Sequence, residues 1–263
     1  MSPNHSKRTT VVKIGGSTLG TGDTTLEDLV TLQGQGIPVV VVHGGGNIVS
    51  QWMERLGALP HFIRGLRVTD QETLDLVIAV LAGLVNKQLV AKIQALGGKA
   101  IGFCGVDGAT LNAVVASSEL GFVGEVTKVE TELVEVVLNT GAIPVIAPLA
   151  LHFHKNASDG AILNINGDTA AGALASALKA DRLVFLTDVE GIMDTSGQII
   201  RKLLPSQGRA LIDTGVVSGG MIPKVDACVQ SMPPVGTALI VDGRMPHALP
   251  RSMGKSEFGT QFG

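Results

Sequence analysis

The sequence predicts an α/β fold in which helices cover both faces of a mostly parallel sheet. Short apolar strands alternate with helical patterns along most of the 263 residues, and this alternation is typical of a parallel sheet. The segment 37–42 is β-branched at every position except Pro38, which indicates a strand buried on both faces. Several predicted strands run directly into glycine clusters, where open α/β sheets bind their ligands.

The composition is that of a globular protein. A hydrophobic content of 45% is enough for one large domain or for two small lobes with their own cores. The net charge of −3 and the lack of a basic run argue against nucleic acid or an anionic membrane as a partner. Cys104 and Cys228 show no metal-binding spacing, so we interpret them as reduced thiols of a cytoplasmic protein. No signal peptide is visible in residues 1–9, and the apolar runs are broken well short of a membrane span.

The first half of the chain contains three predicted strands and three predicted helices. The strands cover residues 9–14, 37–42 and 99–104, and the helices cover residues 25–32, 48–56 and about 70–96. Thr69 and Glu72 predict a capping box at the start of the last helix, and Gly97 with Gly98 predicts its end. This helix is unusually long and apolar. It is either a central core helix or one whose surplus apolar face meets a second subunit.

The second half begins with a predicted antiparallel hairpin at about residues 113–130, where glycines interrupt an alternating pattern. A helix at 131–139 and a strand at 142–147 follow, and His152 and His154 fall in a predicted loop. The segment 162–179 opens a helix. The last third contains strands at 182–186 and 237–241 and helices at 205–214 and 222–232. We place a lobe boundary near residues 175–180, which divides the chain into residues 1–178 and 179–263.

Three glycine or polar clusters follow predicted strands: KIGGS at 13–17, HGGGN at 43–47 and TDVEG at 187–191. Glycines let backbone N–H groups converge on anionic oxygens, and the N-terminus of a following helix adds a favourable dipole. None of the clusters is a GxGxxG dinucleotide fingerprint or a GxxxxGK[ST] phosphate loop. The pattern therefore argues against a Rossmann oxidoreductase and favours another kind of phosphate site.

Single charged and polar residues near these clusters each allow two interpretations. Lys13 either extends from the strand edge into solvent or holds phosphoryl oxygens, and the adjacent glycine pair favours the second. Lys224, just inside a predicted helix, is by itself typical of a surface lysine. Arg67 either pairs with a substrate carboxylate or forms a surface ion pair. Asn164 and Asp168 are either ligands or helix N-caps.

Taken in order, seven segments of the chain resemble the amino acid kinase family. They span residues 11–249 and read VVKIGGS, VVVVHGGG, GLRVTD, LVNK, ILNINGDTAAGALA, SGGMIPKV and VDGRMPHAL. SGGMIPKV together with NINGDTAAGALA is the most specific pair. GLRVTD narrows the resemblance to members that phosphorylate N-acetyl-L-glutamate. Relatives that act on carrier-bound aminoadipate share the glycine loops, but their substrate-side segments differ more.

The resemblance implies a three-layer αβα sandwich of two lobes with a mainly parallel open sheet. Residues 1–178 would bind N-acetyl-L-glutamate and form the dimer contacts, and residues 179–263 would bind ATP. The implied reaction is ATP-dependent phosphorylation of the side-chain carboxylate of N-acetyl-L-glutamate, a step of arginine biosynthesis. Mg²⁺ would be held mainly by the ATP phosphates, with no metal site on the protein.

The resemblance also assigns roles to individual residues. Lys13 and Lys224 would stabilise the transferring phosphoryl group, and Asp168 would hold both lysines in place. Contacts to acetylglutamate would come from Gly45, Gly46, Arg67 and Asn164, with Arg67 on a carboxylate. The ATP site would be formed by Gly15, Gly16, Gly44, Asp188, Val189, Glu190, Gly191, Ile192, Met193, Val216, Val217 and Ser218. A carboxylate nucleophile is already ionised at neutral pH, so no general base is needed, and His43 would only support the site by a hydrogen bond.

The sequence departs from the family pattern at several places. Asn47 follows the glycines where the family often has proline, and Gly167 stands where many members have alanine, which is expected to loosen the turn before Asp168. Members that arginine inhibits are hexamers with an extra helix before the first strand. Here little precedes that strand, which predicts a homodimer that arginine does not inhibit.

Two alternative functions stay open: a kinase for carrier-bound aminoadipate or glutamate, and a non-catalytic sensor. Loss of a lysine or of Asp168 would favour the sensor, but Lys13, Lys224 and Asp168 are all present.

Overall fold

Eight strands form one open sheet at the centre of the computed structural model, which describes residues 9–15, 24–154, 157–254 and 258–263. Every pairing is parallel except that of β13 with β14. The predicted mainly parallel sheet is therefore confirmed. In spatial order the strands are β12 (Lys202–Leu203), β14 (Thr260–Phe262), β13 (Thr237–Asp242), β11 (Arg182–Thr187), β1 (Thr10–Ile14), β2 (Val39–His43), β8 (Ile143–Ala147) and β5 (Ala100–Cys104).

Helices cover both faces of this sheet, so the chain forms the predicted three-layer sandwich. Alternate residues of β2 enter different cores: Val40 and Val42 lie in one hydrophobic cluster, and Val39 and Val41 lie in the other. Burial on both faces is the reason that this strand has no polar position until its end. The helices are α1 (Thr25–Gly34), α2 (Gly46–Arg55), α3 (Gln71–Ile78), α4 (Asn86–Ala95), α5 (Glu132–Asn139), α6 (Gly167–Ala177), α7 (Pro205–Asp213), α8 (Ile222–Ser231) and α9 (Ala248–Met253).

A smaller group of strands lies beside the main sheet. The strands β6 (Leu111–Val115), β7 (Val123–Val129), β9 (Leu149–His154) and β10 (Ala157–Ile165) pair in a closed ring. The antiparallel pairing of β6 with β7 confirms the predicted hairpin. The predicted loop at His152 and His154 is wrong, because both residues lie in β9, which pairs antiparallel with β10. A short hairpin, β3 (Phe62–Ile63) and β4 (Leu66–Arg67), precedes α3.

The long apolar helix runs from α3 through a π-helical segment (Ala79–Val85) into α4, so that Gln71–Ala95 is continuous. Its N-cap is Asp70, whose carboxylate accepts a hydrogen bond from the Thr73 N–H at 2.8 Å. The predicted capping role of Thr69 is wrong, because the Thr69 hydroxyl donates to the carbonyl of Arg67 instead. By length and composition this helix, alone in the described part of the chain, is long and apolar enough to cross a membrane. Its buried residues nevertheless pack on the sheet, as in a core helix.

Candidate active site

The sheet brings the glycine clusters to one edge. The strands β1, β2 and β11 are parallel neighbours, so the segments that follow them start side by side. Backbone hydrogen bonds join these segments: the Gly44 N–H donates to the Ile14 carbonyl at 2.9 Å, and the Gly15 N–H to the Leu186 carbonyl at 3.4 Å. Parallel sheets bind ligands at this edge. Gly16, predicted as a phosphate donor, lies outside the described residues.

Three charged residues from distant parts of the chain meet here. Lys13 Nζ lies 2.8 Å from Asp168 Oδ1, and Lys224 Nζ lies 3.2 Å from Asp168 Oδ2. Lys13 comes from β1, Asp168 from the first turn of α6, and Lys224 from the first turn of α8. Lys224 also donates to the Gly220 carbonyl at 3.1 Å. Its side chain is only 16% exposed, so the interpretation as a solvated surface lysine is wrong.

The electrostatics of this trio keep Asp168 ionised. Burial by itself raises the pKa of the Asp168 carboxyl, but the charges of Lys13 and then Lys224 outweigh burial, and the net pKa lies below the ordinary value. Each oxygen of this buried carboxylate forms an ion pair with one lysine, which fixes where the two cations point. The site therefore carries one net positive charge, which suits an anionic ligand.

A cavity of about 220 Å³ opens beside Lys13 and Asp168. Arg67, which is 7% exposed, also lines this cavity. Arg67 donates to the Gly46 carbonyl and to Ser50 Oγ, both at 2.8 Å, and its Cζ lies 4.7 Å from the centroid of the Phe62 ring. The cavity is lined by Lys13, Gly44, Gly45, Gly46, Val49, Phe62, Gly65, Leu66, Arg67, Val77, Leu81, Val123, Pro148, Asn164, Ile165, Asn166, Gly167 and Asp168.

Arg67 brings a further positive charge to that cavity, which Lys13 and Asp168 also line. Within the described residues, the contacts of its guanidinium are a carbonyl, a hydroxyl, the Met53 thioether and an aromatic ring. None of these groups is negatively charged. Burial lowers the pKa of the Arg67 guanidinium from its ordinary value, although an arginine stays protonated in proteins. A buried cation of this kind is suited to binding a carboxylate from a ligand.

Two asparagines of the site have different structural roles: Asn166 caps a helix, and Asn164 lines the cavity. Asn166 is the N-cap of α6, since its Oδ1 accepts from the N–H groups of Asp168 and Thr169 at 2.8 and 3.1 Å. The alternative in which Asn164 or Asp168 caps this helix is therefore wrong, as is a helix that begins at residue 162. Asn164 lies in β10, lines the cavity and donates to Thr69 Oγ1 at 3.2 Å.

The HGGG segment forms the turn between β2 and α2. Gly45 has a φ of +148°, a conformation that only glycine adopts readily. The buried His43 makes the expected supporting hydrogen bond, with its Nδ1 at 2.8 Å from the Gly44 carbonyl oxygen. Burial is the largest cause and lowers the pKa of His43 to about 4; the Gly44 hydrogen bond opposes this shift, and the charges of Lys13 and Lys87 add to it. The ring is therefore neutral at physiological pH.

The predicted nucleotide residues lie on the other half of the same edge. Asp188 follows β11, and Ser218 precedes the turn into α8. Ile192 and Val217 are buried in a core cluster, so their side chains face away from a nucleotide and only their backbone is available. The other residues predicted in these two segments are exposed or half-buried, except the buried Gly191.

Arg244, for which no role is predicted from the sequence, also lies at this edge. Its guanidinium forms a two-pronged pair with Asp242 at 2.9 and 2.8 Å, at the end of β13. The pKa of Arg244 is raised mainly by Asp242 and to a lesser extent by Asp188 and Glu190, so these carboxylates lie around it. The sequence feature that could have pointed to Arg244 is the VDGRM segment, in which an Asp-Gly turn follows a buried strand.

Known proteins share both the sequence and the architecture. Residues 8–233 match the amino acid kinase family. An acetylglutamate kinase of Dehalococcoides mccartyi strain CBDB1 is 42% identical over 97% of this chain and 94% of its own length. An acetylglutamate kinase of Synechocystis sp. is 46% identical over 92% of this chain and 82% of its own length. The crystal structure of smu.665 from Streptococcus mutans UA159 has a TM-score of 0.82 and 31% identity, and the match covers 97% of this chain and 98% of that one. The chain described here therefore belongs to the amino acid kinase family.

Proposed function

We propose that this chain is a kinase that transfers the γ-phosphate of ATP to the side-chain carboxylate of N-acetyl-L-glutamate. The products are ADP and an acyl phosphate, and the step belongs to arginine biosynthesis. The observation that carries the proposal is the juxtaposition of Lys13, Asp168 and Lys224 with a cavity that is also lined by the buried Arg67. The relatives named acetylglutamate kinase support the identity of the substrate.

Each part of the site has a function in this reaction. Arg67 pairs with one carboxylate of the substrate and directs the other carboxylate toward Lys13. Asn164, Gly45 and Gly46 contact the bound substrate from the cavity wall. Because the attacking carboxylate is already ionised, the protein does not remove a proton. Its task is to position the reactants and to neutralise charge on the transferring group.

The two lysines act on that charge from either side of Asp168. Each ammonium is a compact point charge that approaches phosphoryl oxygens closely. Asp168 prevents the lysines from repelling each other and fixes their direction, so the stabilisation is preorganised before the substrates arrive. Lys13, which lines the cavity, serves the acceptor side, and Lys224, which is not among the residues that line it, serves the ATP side.

We assign the binding of ATP to Gly15, Gly16, Gly44, residues 188–193 and residues 216–218. Magnesium is assigned to the ATP phosphates. Within the described residues, no group of three or more His, Cys, Asp or Glu side chains converges on a metal position, and both oxygens of Asp168 face lysines. Bound to ATP, Mg²⁺ supplies further charge neutralisation at the phosphates.

We also propose the organisation of the molecule around this site. Residues 1–178 form the acetylglutamate lobe and residues 179–263 the ATP lobe, and the enzyme is a cytoplasmic homodimer. Insensitivity to arginine stays a prediction, to be checked by assaying the enzyme with added arginine. No contact described above favours carrier-bound aminoadipate over acetylglutamate.

The experiment that tests the function is trapping of the acyl phosphate with hydroxylamine. Acetylglutamate, glutamate and aminoadipate are offered in parallel with ATP and Mg²⁺. We expect hydroxamate from acetylglutamate and little from the other two. A preference for aminoadipate or glutamate would contradict the substrate, and inertness toward all three would contradict the kinase activity. Arg67→Ala is the matched variant, in which we expect mainly a raised KM for acetylglutamate.

A further inference from the structure

A chain of fully buried polar side chains lies beneath the HGGG turn. Asn86 has no exposed surface and His43 is 1% exposed. Asn86 Nδ2 lies 3.1 Å from His43 Nε2, and His43 Nδ1 lies 2.8 Å from the Gly44 carbonyl oxygen. The two side chains thus connect the start of α4 to the glycine turn.

The chemistry of its neighbours fixes the orientation of the Asn86 amide. Its nitrogen lies 2.9 Å from the Val145 carbonyl oxygen, a group that only accepts hydrogen bonds. Its oxygen lies 3.0 Å from Lys87 Nζ, a group that only donates. The reversed amide would oppose both partners. The nitrogen has three acceptors in reach, and the two nearest are the Val145 carbonyl oxygen and His43 Nε2 at 3.1 Å, with the Phe103 carbonyl oxygen farther away at 3.3 Å. Asn86 therefore presents an N–H donor to His43 Nε2.

That donor fixes the tautomer of His43. Since Nε2 accepts from Asn86, the single proton of the neutral ring resides on Nδ1, which donates to the Gly44 carbonyl. The opposite tautomer would place a lone pair against the carbonyl oxygen and an N–H against the amide N–H. The charged groups that act on this ring, Lys13 and Lys87, both disfavour a second proton.

The surrounding fold is shaped around this chain. Asn86 is the first residue after the π-helical segment Ala79–Val85, and π-helical turns often occur at functional sites. A Cβ built on Gly102 would overlap the amide oxygen of Asn86, so a glycine there leaves room for the side chain. On the other side, Leu81 and Val85 of the π-helical segment pack against Gly45, where a Cβ would lie 2.7 Å from Leu81 Cδ2.

We infer that Asn86 is a positioning residue of the active site, which holds His43 in its Nδ1–H tautomer and thereby fixes the Gly44 carbonyl and the turn at residues 44–46. Without this restraint the peptide units of the turn can rotate, and their N–H groups lose the direction that substrate binding needs. The consequence for turnover rests on the proposed function, whereas the assignment of the His43 tautomer is independent of it.

The first experiment reads the tautomer in the unaltered protein. The protein is labelled with ¹⁵N at its histidines, and His43 is assigned by comparison with His43→Gln. Near neutral pH we expect the nitrogen shifts and couplings of a neutral ring protonated at Nδ1. A ring protonated at Nε2, or a charged ring, overturns the inference whether or not the chain is a kinase.

The second experiment separates positioning from general stability. Asn86→Asp keeps the size of the side chain and removes its N–H donor. Asn112→Asp is the matched control, because Asn112 is also a buried asparagine whose amide donates to a backbone carbonyl, that of Ala109 at 2.7 Å, but it lies in β6 away from the cavity. Both substitutions should lower the free energy of unfolding.

We expect only Asn86→Asp to impair the site. The KM for acetylglutamate should rise and kcat should fall, with kcat/KM lower by roughly tenfold or more, and the His43 ring should lose its neutral Nδ1–H form. Equal losses of activity in the two variants, or an unchanged His43 spectrum in Asn86→Asp, overturn the inference. If Asn86→Asp does not fold, the measurement on the unaltered protein still decides the tautomer on which the inference depends.

Discussion

At the scale of single residues, the carboxylate of Asp168 separates two ammonium groups that would otherwise repel each other. In the proposed mechanism, removing either lysine takes away one charge that stabilises the transferring phosphoryl group. We therefore expect Lys13→Ala and Lys224→Ala each to lower kcat by about a hundredfold to a thousandfold. Lys128→Ala is the control, since Lys128 forms an exposed ion pair with Glu130 and should change kcat by no more than about twofold. Steady-state kinetics with acetylglutamate and ATP measure both. Near-normal turnover of Lys224→Ala would refute its role.

The buried ring of His43 makes the stability of the protein depend on pH. Its pKa of about 4 in the folded state lies below the value of 6.5 for an ordinary histidine. The unfolded chain thus binds more protons between these two values, so stability is complete above the unfolded pKa and is lost as pH falls toward the folded one. From this group alone, unfolding at about pH 5 should require about 2 kcal/mol less free energy than at neutral pH.

Urea titrations of the native protein and of His43→Gln at both pH values isolate this contribution, because other ionisable groups affect both proteins alike. The variant is expected to be less stable at neutral pH but to lose less stability on acidification. Identical losses in the two proteins would mean that His43 is not buried as a neutral ring.

At the scale of elements, the glycines at helix starts and in strands differ in whether the surrounding structure has room for a Cβ atom. A Cβ at Gly167, the first residue of α6, would lie 3.4 Å from Lys13 Cε, an ordinary contact, and the backbone there has no left-handed φ. Gly167→Ala should raise the free energy of unfolding by about 0.4–1 kcal/mol, because it reduces the entropy of the unfolded chain. Gly102→Ala should instead destabilise, because its Cβ would overlap Asn86 Oδ1. Thermal unfolding distinguishes the two, and a destabilised Gly167→Ala would contradict the ordinary contact.

The elements that the sequence predicts well are those whose burial can be read from the pattern of their own residues. The β-branched run of β2 shows burial on both faces directly, whereas His152 and His154 lie in β9 because of its pairing with β10, which no local pattern records. The N-cap of α6 depends on where β10 ends, so Asn166 was missed. Lys13 was predictable from its own strand. Lys224 was not, since its partner Asp168 lies 56 residues away, and only the resemblance singled it out.

At the scale of the whole molecule, the order of strands in the sheet creates the site. The strand β1 lies between β2, which follows it in the chain, and β11, which comes much later. This crossover places Lys13 in the middle of the sheet, with α6 and α8 packed against each other on the same face. The proposed boundary after residue 178 therefore assigns the two proposed binding roles to two halves of one continuous sheet, and the residues proposed to be catalytic lie where the halves meet.

The long helix leads to the last prediction, the homodimer. Only 39% of its most apolar 18-residue stretch is buried within the chain, and Ala79 and Gly83, four residues apart on one face, are exposed. We expect light scattering to give twice the chain mass of 27.1 kDa, with this face in the contact. A Cβ at Gly83 meets no atom within 4 Å, so Gly83→Glu should leave the folded subunit intact but place a charge in the contact and dissociate the dimer. The exposed Gly34 of α1 is equally open, and Gly34→Glu should remain dimeric. A hexamer or monomer in the unaltered protein, or a dimer that persists in Gly83→Glu, would contradict this arrangement.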